Sequence, residues 1–239
     1  MRQSKSGSIR ACLNKKTEDG NQLLQLSKYN QKVANNEVVI IDYGMGNLWS
    51  VASAIQFLGK TPVVTNDLAK ISESETLILP GVGSFRRAMN TIRNQSIDKA
   101  IFESLQNPKT KLLGICLGMQ LLGASSTEDG LTEGLGLVQN EVVRLANSEK
   151  NPIKIPHVGF NKVQLSKESK LFEQISADAS FYFVHSYAMQ ILNDSSTYTT
   201  TTYGQKFVAA FESGQVFGTQ FHPEKSQKSG LKVLENFLR

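Results

Sequence analysis

The stretch Leu112–Gln120 reads Leu-Leu-Gly-Ile-Cys-Leu-Gly-Met-Gln, an apolar strand pattern that runs into the start of a helix. Cys116 stands at the junction, with a glycine two residues before it and another two residues after it. Glycine suits this turn because a strand that becomes a helix within about one residue has a strained backbone that larger side chains obstruct. The pattern predicts a nucleophile elbow with cysteine in place of serine.

Cys116 on this turn has two interpretations. At a helix N-terminus, the helix dipole and the free N–H groups favour the thiolate, which is the nucleophilic form. A free cysteine is also a common core residue, so the Gly-x-Cys-x-Gly pattern alone does not decide between the two. Gln120, four residues later, shares a helix face with Cys116 and is either a substrate contact or a solvated polar residue.

Around this stretch, residues 37–239 have the pattern of one α/β domain. Short β-branched strands alternate with helical patterns, which is typical of a parallel sheet covered by helices. After about residue 136, strands joined by turns indicate an antiparallel portion. We expect a central mixed, mainly parallel sheet flanked by helices, with an additional antiparallel portion. The predicted strands are 38–41, 62–65, 76–79, 112–116, 142–145, 159–165, 181–187, 197–203, 207–211 and 215–221, and the helices include 47–58 and 231–238.

Residues 1–36 differ from the rest in charge. They carry seven Lys or Arg against two Asp or Glu, whereas the other 203 residues carry nineteen of each. The net charge of +5 therefore belongs to this polar segment, which we predict to be a disordered basic tail. The segment lacks the apolar core of a secretory signal. Its composition leaves two interpretations, an organelle transit peptide and an ordinary disordered extension, and we favour the extension. We expect no nucleic-acid partner.

The remaining composition narrows the class of protein further. No segment is apolar enough to span a bilayer, so no membrane partner is expected. The two cysteines, Cys12 and Cys116, are too few for a disulfide framework, which favours a cytoplasmic location. We expect neither a cofactor nor a metal.

A cysteine nucleophile needs a base that is itself held in place, and the chain has three histidines: His157, His185 and His222. His222 precedes Pro223 and Glu224 at the end of a strand pattern. Residues i and i+2 of an extended chain project to the same side, and the proline disfavours helix before it. The sequence therefore predicts a triad of Cys116, His222 and Glu224, since triads are defined by roles rather than by order.

An oxyanion hole needs two backbone donors. One is the amide of Leu117, immediately after the nucleophile. The other is an amide within residues 80–83, Pro-Gly-Val-Gly, which follow a predicted strand. The pattern of residues 80–83 alone also fits an ordinary tight turn between a strand and a helix.

Three motifs together resemble the class I glutamine amidotransferase family. They are residues 114–120, residues 221–226 (Phe-His-Pro-Glu-Lys-Ser) and residues 79–85 (Leu-Pro-Gly-Val-Gly-Ser-Phe). Residues 41–48, Ile-Asp-Tyr-Gly-Met-Gly-Asn-Leu, are similar to the opening of one branch, the glutaminase subunits of imidazole glycerol phosphate synthase in histidine biosynthesis. Further matches at 156–161, 182–187 and 226–231 extend the resemblance over residues 37–239. It implies a flavodoxin-like fold.

The resemblance also implies roles for individual residues. Cys116 attacks the side-chain amide of glutamine, His222 protonates the departing ammonia, Glu224 orients His222, and water releases glutamate from the thioester. The oxyanion donors implied are Gly83 and Leu117, and the glutamine contacts are Gln120 with the backbone around Ser186 and Tyr187. The residues implied at the partner interface or ammonia path are Met45, Asn47, Pro156, Phe160 and Lys225. For His157 and His185, packing and hydrogen bonding are at least as good an interpretation as catalysis.

Residues 37–239 show no second domain or phosphate loop for an ammonia acceptor, so a second chain is expected to hold the synthase site. The resemblance implies a heterodimer with a cyclase subunit that is a (βα)₈ barrel, and a peptide flip at residues 81–83 suggests how acceptor binding switches on the glutaminase. Phe160 stands where the family often has tryptophan. Three alternatives remain. One is a paralogous glutaminase that feeds a sugar amidotransferase in surface polysaccharide synthesis. The others are a cysteine peptidase-like hydrolase and an inactive binding module.

Overall fold

Thirteen strands and six helices make up the described parts of the chain, which in this computed structural model are residues 36–146, 152–192 and 196–239. The helices are α1 Leu48–Phe57, α2 Leu68–Ser72, α3 Phe85–Asn94, α4 Ile97–Ser104, α5 Leu117–Leu121 and α6 Gln227–Phe237. The strands are β1 Glu37–Ile41, β2 Thr61–Thr65, β3 Thr76–Gly81, β4 Lys111–Cys116, β5 Ser125–Ser126, β6 Thr132–Glu133, β7 Glu141–Arg144, β8 His157–Lys162, β9 Ser180–His185, β10 Tyr187–Met189, β11 Thr197–Tyr203, β12 Gln205–Ser213 and β13 Val216–Thr219.

The central sheet has seven strands in the order β11-β12-β13-β4-β3-β1-β2. It is parallel between β13 and β4, β4 and β3, and β3 and β1, and antiparallel where β11 and β12 are added beyond β13. A second sheet has the order β10-β7-β5-β6, and β8 and β9 form a separate two-stranded ribbon. The predicted α/β class, with a mixed central sheet and an additional antiparallel portion, is confirmed.

Two apolar layers cover the faces of the central sheet because alternate strand residues point to opposite faces. In β1, Val38 and Ile40 belong to one buried cluster, whereas Val39 and Ile41 belong to the other. Helices α1 and α6 pack on the first face, and α3 and α4 on the second. Residues 38–239 form one compact unit. The predicted tail, residues 1–36, lies outside the described residues except for Asn36.

Several predicted boundaries differ from those observed, two of them in ways that change the description of the fold. The strand predicted over 181–187 is two strands, because Ser186 interrupts it: β9 pairs with β8, whereas Tyr187 in β10 pairs with Arg144 in β7. The C-terminal helix starts at Gln227, four residues before the predicted start, because its first turn is polar and carries no apolar signal. Among the described residues, the helices are all too short or too polar to cross a bilayer.

The carboxyl ends of the parallel strands meet at one edge of the sheet, where open α/β sheets bind their ligands. Cys116 ends β4 there, and its neighbour in β3 is Gly81. Strand β13 runs parallel to β4 and leads, through Gln220 and Phe221, to His222. The topology therefore brings the predicted nucleophile and the predicted base to the same edge, although 105 residues separate them in the chain.

Candidate active site

The backbone of Cys116 has φ 55° and ψ −109°, a conformation that non-glycine residues rarely adopt. The flanking glycines are at close approaches: a Cβ at Gly118 would overlap the carbonyl oxygen of Leu79, and one at Gly114 would lie 2.6 Å from the backbone of Met119. Backbone strain of this kind costs about 1–3 kcal/mol and persists only where the surrounding structure enforces it. The geometry agrees with the predicted elbow, which leaves Cys116 buried but on the wall of a cavity.

His222 and Glu224 form the closest charged contact of the site. The Nδ1 atom of His222 lies 2.8 Å from Oε1 of Glu224, and both side chains are almost completely buried. Because a carboxylate only accepts, Nδ1 carries the hydrogen. The pair is made at the start of a 3₁₀ turn, Pro223–Lys225, and not along the extended chain that the sequence predicted. Proline at the first position of the turn fixes its φ and thereby the place of Glu224.

Hydrogen bonds to Tyr182 and Ser226 hold the backbone of His222. Its N–H donates to the carbonyl oxygen of Tyr182 at 2.9 Å, and its own carbonyl accepts from the Ser226 hydroxyl at 2.6 Å. The same hydroxyl oxygen accepts from the N–H of Tyr182 at 2.9 Å. Ser226 thus ties the histidine to strand β9, which fixes the imidazole relative to the sheet edge.

Electrostatics around His222 favour its protonated form. Burial alone lowers the pKa of a histidine, but hydrogen bonding and charge interaction with Cys116 and Glu224 outweigh burial and raise the pKa of His222 to about 10. Nδ1 is engaged by Glu224, so the interaction with Cys116 involves the remaining nitrogen, Nε2. Nε2 is therefore on the sulfur side of the site, in position to give up a proton.

A cavity of about 300 Å³ opens above Cys116. Six predicted site residues line it, together with Pro156, which the resemblance implied at the interface. The lining residues are Val82, Gly83, Cys116, Leu117, Gln120, Glu128, Pro156, Val184, His185, Ser186 and Tyr187. The structure thus brings the predicted nucleophile, oxyanion donors and substrate contacts around one space.

The two predicted oxyanion donors lie on neighbouring parts of this wall. Leu117 follows Cys116 as the first residue of α5. Gly83 has φ 107°, in the region that favours glycine, and a Cβ there would lie 2.9 Å from Cε of Met45. Strand β3 continues to Gly81, two residues further than predicted, because Pro80 and Gly81 pair with Ile115 and Cys116.

The other residues implied at the interface lie on the surface or close to it. Phe160 in β8 is half exposed, and its ring contacts that of Tyr182 at 5.6 Å between centroids. Lys225 is exposed, with Nζ 6.0 Å from the centroid of the same tyrosine ring. Met45 and Asn47 are partly exposed in the segment between β1 and α1. None of these four residues is among those that line the cavity.

His157 and His185 form a buried pair. Nδ1 of His157 lies 3.2 Å from Nε2 of His185, and Nδ1 of His185 lies 2.9 Å from the carbonyl oxygen of Tyr187. Burial lowers the pKa of His157 to about 4. Burial also lowers the pKa of His185 to about 3, against the opposing effect of its bond to Tyr187. Both rings are therefore neutral near pH 7. His185 donates its Nδ1–H to the carbonyl oxygen of Tyr187, and His157 donates its Nδ1–H to Nε2 of His185.

Sequence reasoning missed two residues of this site. Gln220 is completely buried and lies between Gln120 and Cys116. Its position within a predicted strand, next to Phe221 and two residues before His222, was the available signal. Glu128 lines the cavity and accepts a 2.8 Å hydrogen bond from the N–H of Phe85. Burial raises the pKa of Glu128, and the Asp129 charge adds to this, whereas the Phe85 bond acts against it. No sequence signal pointed to Glu128.

A model of the glutamine amidotransferase class-I family matches residues 39–239. With this match and the arrangement around Cys116, the chain belongs to the class I glutamine amidotransferase family. A solved structure, that of PurLQS from Thermotoga maritima, has the same fold: the TM-score is 0.65 at 19% identity, over 84% of this chain and 97% of that chain.

Two curated relatives are considerably more similar in sequence. Imidazole glycerol phosphate synthase subunit HisH 1 of Parasynechococcus marenigrum is 43% identical over 204 residues, which cover 85% of this chain and 97% of the relative. Subunit HisH of Aquifex aeolicus is 45% identical over 202 residues, covering 84% of this chain and 95% of the relative. The resemblance read from the motifs is confirmed.

Proposed function

We propose that this chain is the glutaminase subunit of an imidazole glycerol phosphate synthase, acting in the cytoplasm in histidine biosynthesis. It hydrolyses L-glutamine to glutamate and ammonia and passes the ammonia to a cyclase subunit with which it forms a heterodimer. The relatives named as subunits of that synthase support the assignment over nearly their whole length. The observation that carries the chemistry is the strained Cys116 on the cavity wall, beside a buried His222–Glu224 pair.

In the proposed reaction, the Cys116 sulfur attacks the carbonyl carbon of the glutamine side-chain amide. The tetrahedral intermediate collapses when its C–N bond breaks and His222 gives its proton to the departing ammonia. Water, deprotonated by His222, then attacks the thioester carbon, releasing glutamate and the thiol. Glu224 holds the imidazole with Nδ1 protonated, so that Nε2 serves the reacting atoms at each step.

The cavity walls suggest how glutamine is held. Amides of Gly83 and Leu117 would stabilise the oxyanion, and the backbone around Ser186 and Tyr187 would bind the α-amino acid end. Glu128 adds a carboxylate on the same wall, where it suits the α-ammonium group. The positive φ of Gly83 supports a gate at this peptide, whose rotation would complete the oxyanion hole when the partner's acceptor is bound.

A partner surface is proposed around the cavity mouth. Apolar side chains are exposed on the β8–β9 ribbon, with Val158 56%, Phe160 50% and Val184 37% accessible. Lys225 lies beside the ribbon through its contact with Tyr182. An exposed apolar patch with polar groups at its edge is the composition expected of a protein interface. We propose that a (βα)₈-barrel cyclase docks here and covers Met45, Asn47 and Pro156.

The assignment is tested by reconstituting the chain with an imidazole glycerol phosphate cyclase subunit and measuring glutamate release. The proposal predicts strong stimulation by the complex with acceptor bound, and its loss in Cys116→Ala. Stimulation by a sugar-modifying synthase and not by the cyclase would contradict the histidine pathway. Glutamate release by the folded Cys116→Ala complex at the wild-type rate would contradict the chemistry.

A further inference from the structure

Gln220 lies against the nucleophile. Its side chain is completely buried, two residues before His222, and its Nε2 atom lies 3.8 Å from Sγ of Cys116. Its Oε1 atom lies 2.9 Å from Nε2 of Gln120. A buried amide with both ends engaged in this way has one preferred orientation.

The hydrogen bonds around Gln220 have a fixed direction. The carbonyl oxygen of Tyr187 can only accept, so the atom of Gln120 that lies 2.8 Å from it must be the amide nitrogen. That nitrogen has a second hydrogen, which it donates to Oε1 of Gln220. The remaining end of the Gln220 amide is its NH₂ group, and this end points to the sulfur. The orientation follows from a backbone carbonyl and does not depend on the choice of amide rotamer.

We propose that Gln220 is a neutral hydrogen-bond donor to the Cys116 sulfur, oriented by Gln120, and that it stabilises the thiolate that attacks glutamine. The proposal rests on the proposed role of Cys116 as nucleophile. Hydrogen bonds to a charged acceptor are stronger than those to a neutral one, so this N–H favours the thiolate over the thiol. Because an amide does not titrate, the N–H of Gln220 still donates to the sulfur after His222 has given up its proton.

The proposed donor also gives Gln120 a second role. Both hydrogens of its amide nitrogen are taken by Tyr187 and Gln220, so Gln120 holds the Gln220 amide in its direction. A substitution at Gln120 is therefore expected to act on the sulfur as well as on the binding of glutamine.

The test measures the reactivity of the sulfur without any turnover of glutamine. Full-length chains carrying Cys12→Ser, so that Cys116 is the single remaining cysteine, are alkylated with iodoacetamide over a range of pH. Gln220→Met removes the donor and keeps an unbranched side chain. Without this donor, we expect the thiolate to be disfavoured about tenfold relative to the thiol. The pH of half-maximal alkylation should therefore rise by about one unit.

A matched control is Gln215→Met, immediately before β13, where the amide nitrogen bonds the carbonyls of Asn107 and Thr110 instead. It should leave the alkylation midpoint unchanged. If Gln220→Met fails to fold by circular dichroism, Gln120→Met answers the same question and should raise the midpoint by a smaller amount. An unchanged midpoint in a folded Gln220→Met chain overturns the proposal.

Glutamine turnover by the complex separates this inference from the proposed function. If the proposed function fails, either the wild-type complex shows no turnover or Cys116→Ala retains it, whatever the Gln220 variant does. If only the inference fails, Cys116→Ala abolishes turnover while Gln220→Met keeps both the wild-type alkylation midpoint and the wild-type kcat. A raised midpoint accompanied by a lowered kcat supports both.

Discussion

The Nδ1 atom of His222 lies 2.8 Å from Oε1 of Glu224, and neither side chain is more than 4% exposed. The two residues are separated in the chain by Pro223 alone, which begins a 3₁₀ turn that includes Glu224. Burial makes this contact strong, because a carboxylate kept from water interacts with a neighbouring N–H at a low local dielectric constant. The pair fixes which nitrogen of His222 is left for chemistry.

Glu224→Gln tests that fixed tautomer. The amide has the size of the carboxylate but presents an NH₂ donor as readily as an oxygen, so the imidazole is no longer held with Nδ1 protonated. We expect kcat of the stimulated complex to fall by about 10² to 10⁴ while KM for glutamine changes little. Glutamate release measures it, and Glu173→Gln, an exposed carboxylate next to Arg239, serves as the control. A variant with wild-type kcat would show that Glu224 does not orient the base.

Gly83 provides a test of the oxyanion hole. Its φ of 107° is unfavourable for an alanine, whose Cβ would also press on Met45. Gly83→Ala should therefore hold the peptide away from the productive orientation and lower stimulated turnover by about 10² to 10³. Gly214→Ala is the matched control, because it has φ 59° in the turn between β12 and β13 with open space around it. Equal turnover in the two variants would contradict the role of Gly83.

Phe160 tests the proposed partner surface. Phe160→Glu adds a charge to the exposed apolar face of β8 without touching the cavity lining. We expect the Kd for the cyclase subunit to rise at least about tenfold, since desolvating an unpaired charge opposes association. Alkylation of Cys116 in the isolated chain should not change. Phe102→Glu is the control, because Phe102 is exposed on α4, whose buried residues belong to the other apolar layer, and it should leave the Kd unaltered. An unchanged Kd for Phe160→Glu would exclude the ribbon from the interface.

The buried His157–His185 pair makes a prediction about pH and stability. Folding lowers the pKa of each ring from the ordinary histidine value of about 6.5. Below that pH, the two histidines therefore bind more protons in the unfolded chain than in the folded one. The pair's contribution is fully present above about pH 6.5 and is lost as pH falls through about 4 and then about 3. Urea unfolding from pH 7 to pH 4 should therefore show a falling free energy of unfolding.

His157→Phe should make that fall shallower, because phenylalanine keeps the stacking on Phe183 and Tyr203 but binds no proton. Tyr203→Phe is the control: it loses a hydroxyl bond to the carbonyl oxygen of Lys154 and keeps the stacked ring. Its pH dependence should match that of the wild type. A His157→Phe variant with the full wild-type slope would show that the pair does not titrate as described.

Local sequence chemistry was sufficient to predict the elbow and the sheet. Glycines at 114 and 118 indicate a close backbone approach, and the continuous apolar runs of β1, β3 and β4 indicate strands that are buried on both faces. The break at Ser186 was not predictable, because residues on both sides of it have strand character. Only the pairing of β10 with β7 places the chain in another sheet after Ser186.

Gln220 and Glu128 were not predicted because their roles also depend on contacts between segments that are distant in the chain. Gln220 acquires its importance from Cys116 and Gln120, which are about a hundred residues away in the chain. Glu128 reaches the cavity through a loop whose position depends on its bond to Phe85. A sequence pattern reports periodicity within one element, and so it does not report which side chains different elements bring together.

The central claim is that Cys116 forms a covalent glutamyl thioester from glutamine, and peptide mass spectrometry tests it most directly. A Cys12→Ser chain in complex with its cyclase subunit is mixed with glutamine, quenched in acid and digested. The account predicts a glutamyl adduct on the peptide that carries Cys116, absent from Cys116→Ala. An adduct on another residue, or glutamate release at the wild-type rate by the Cys116→Ala complex, would contradict it.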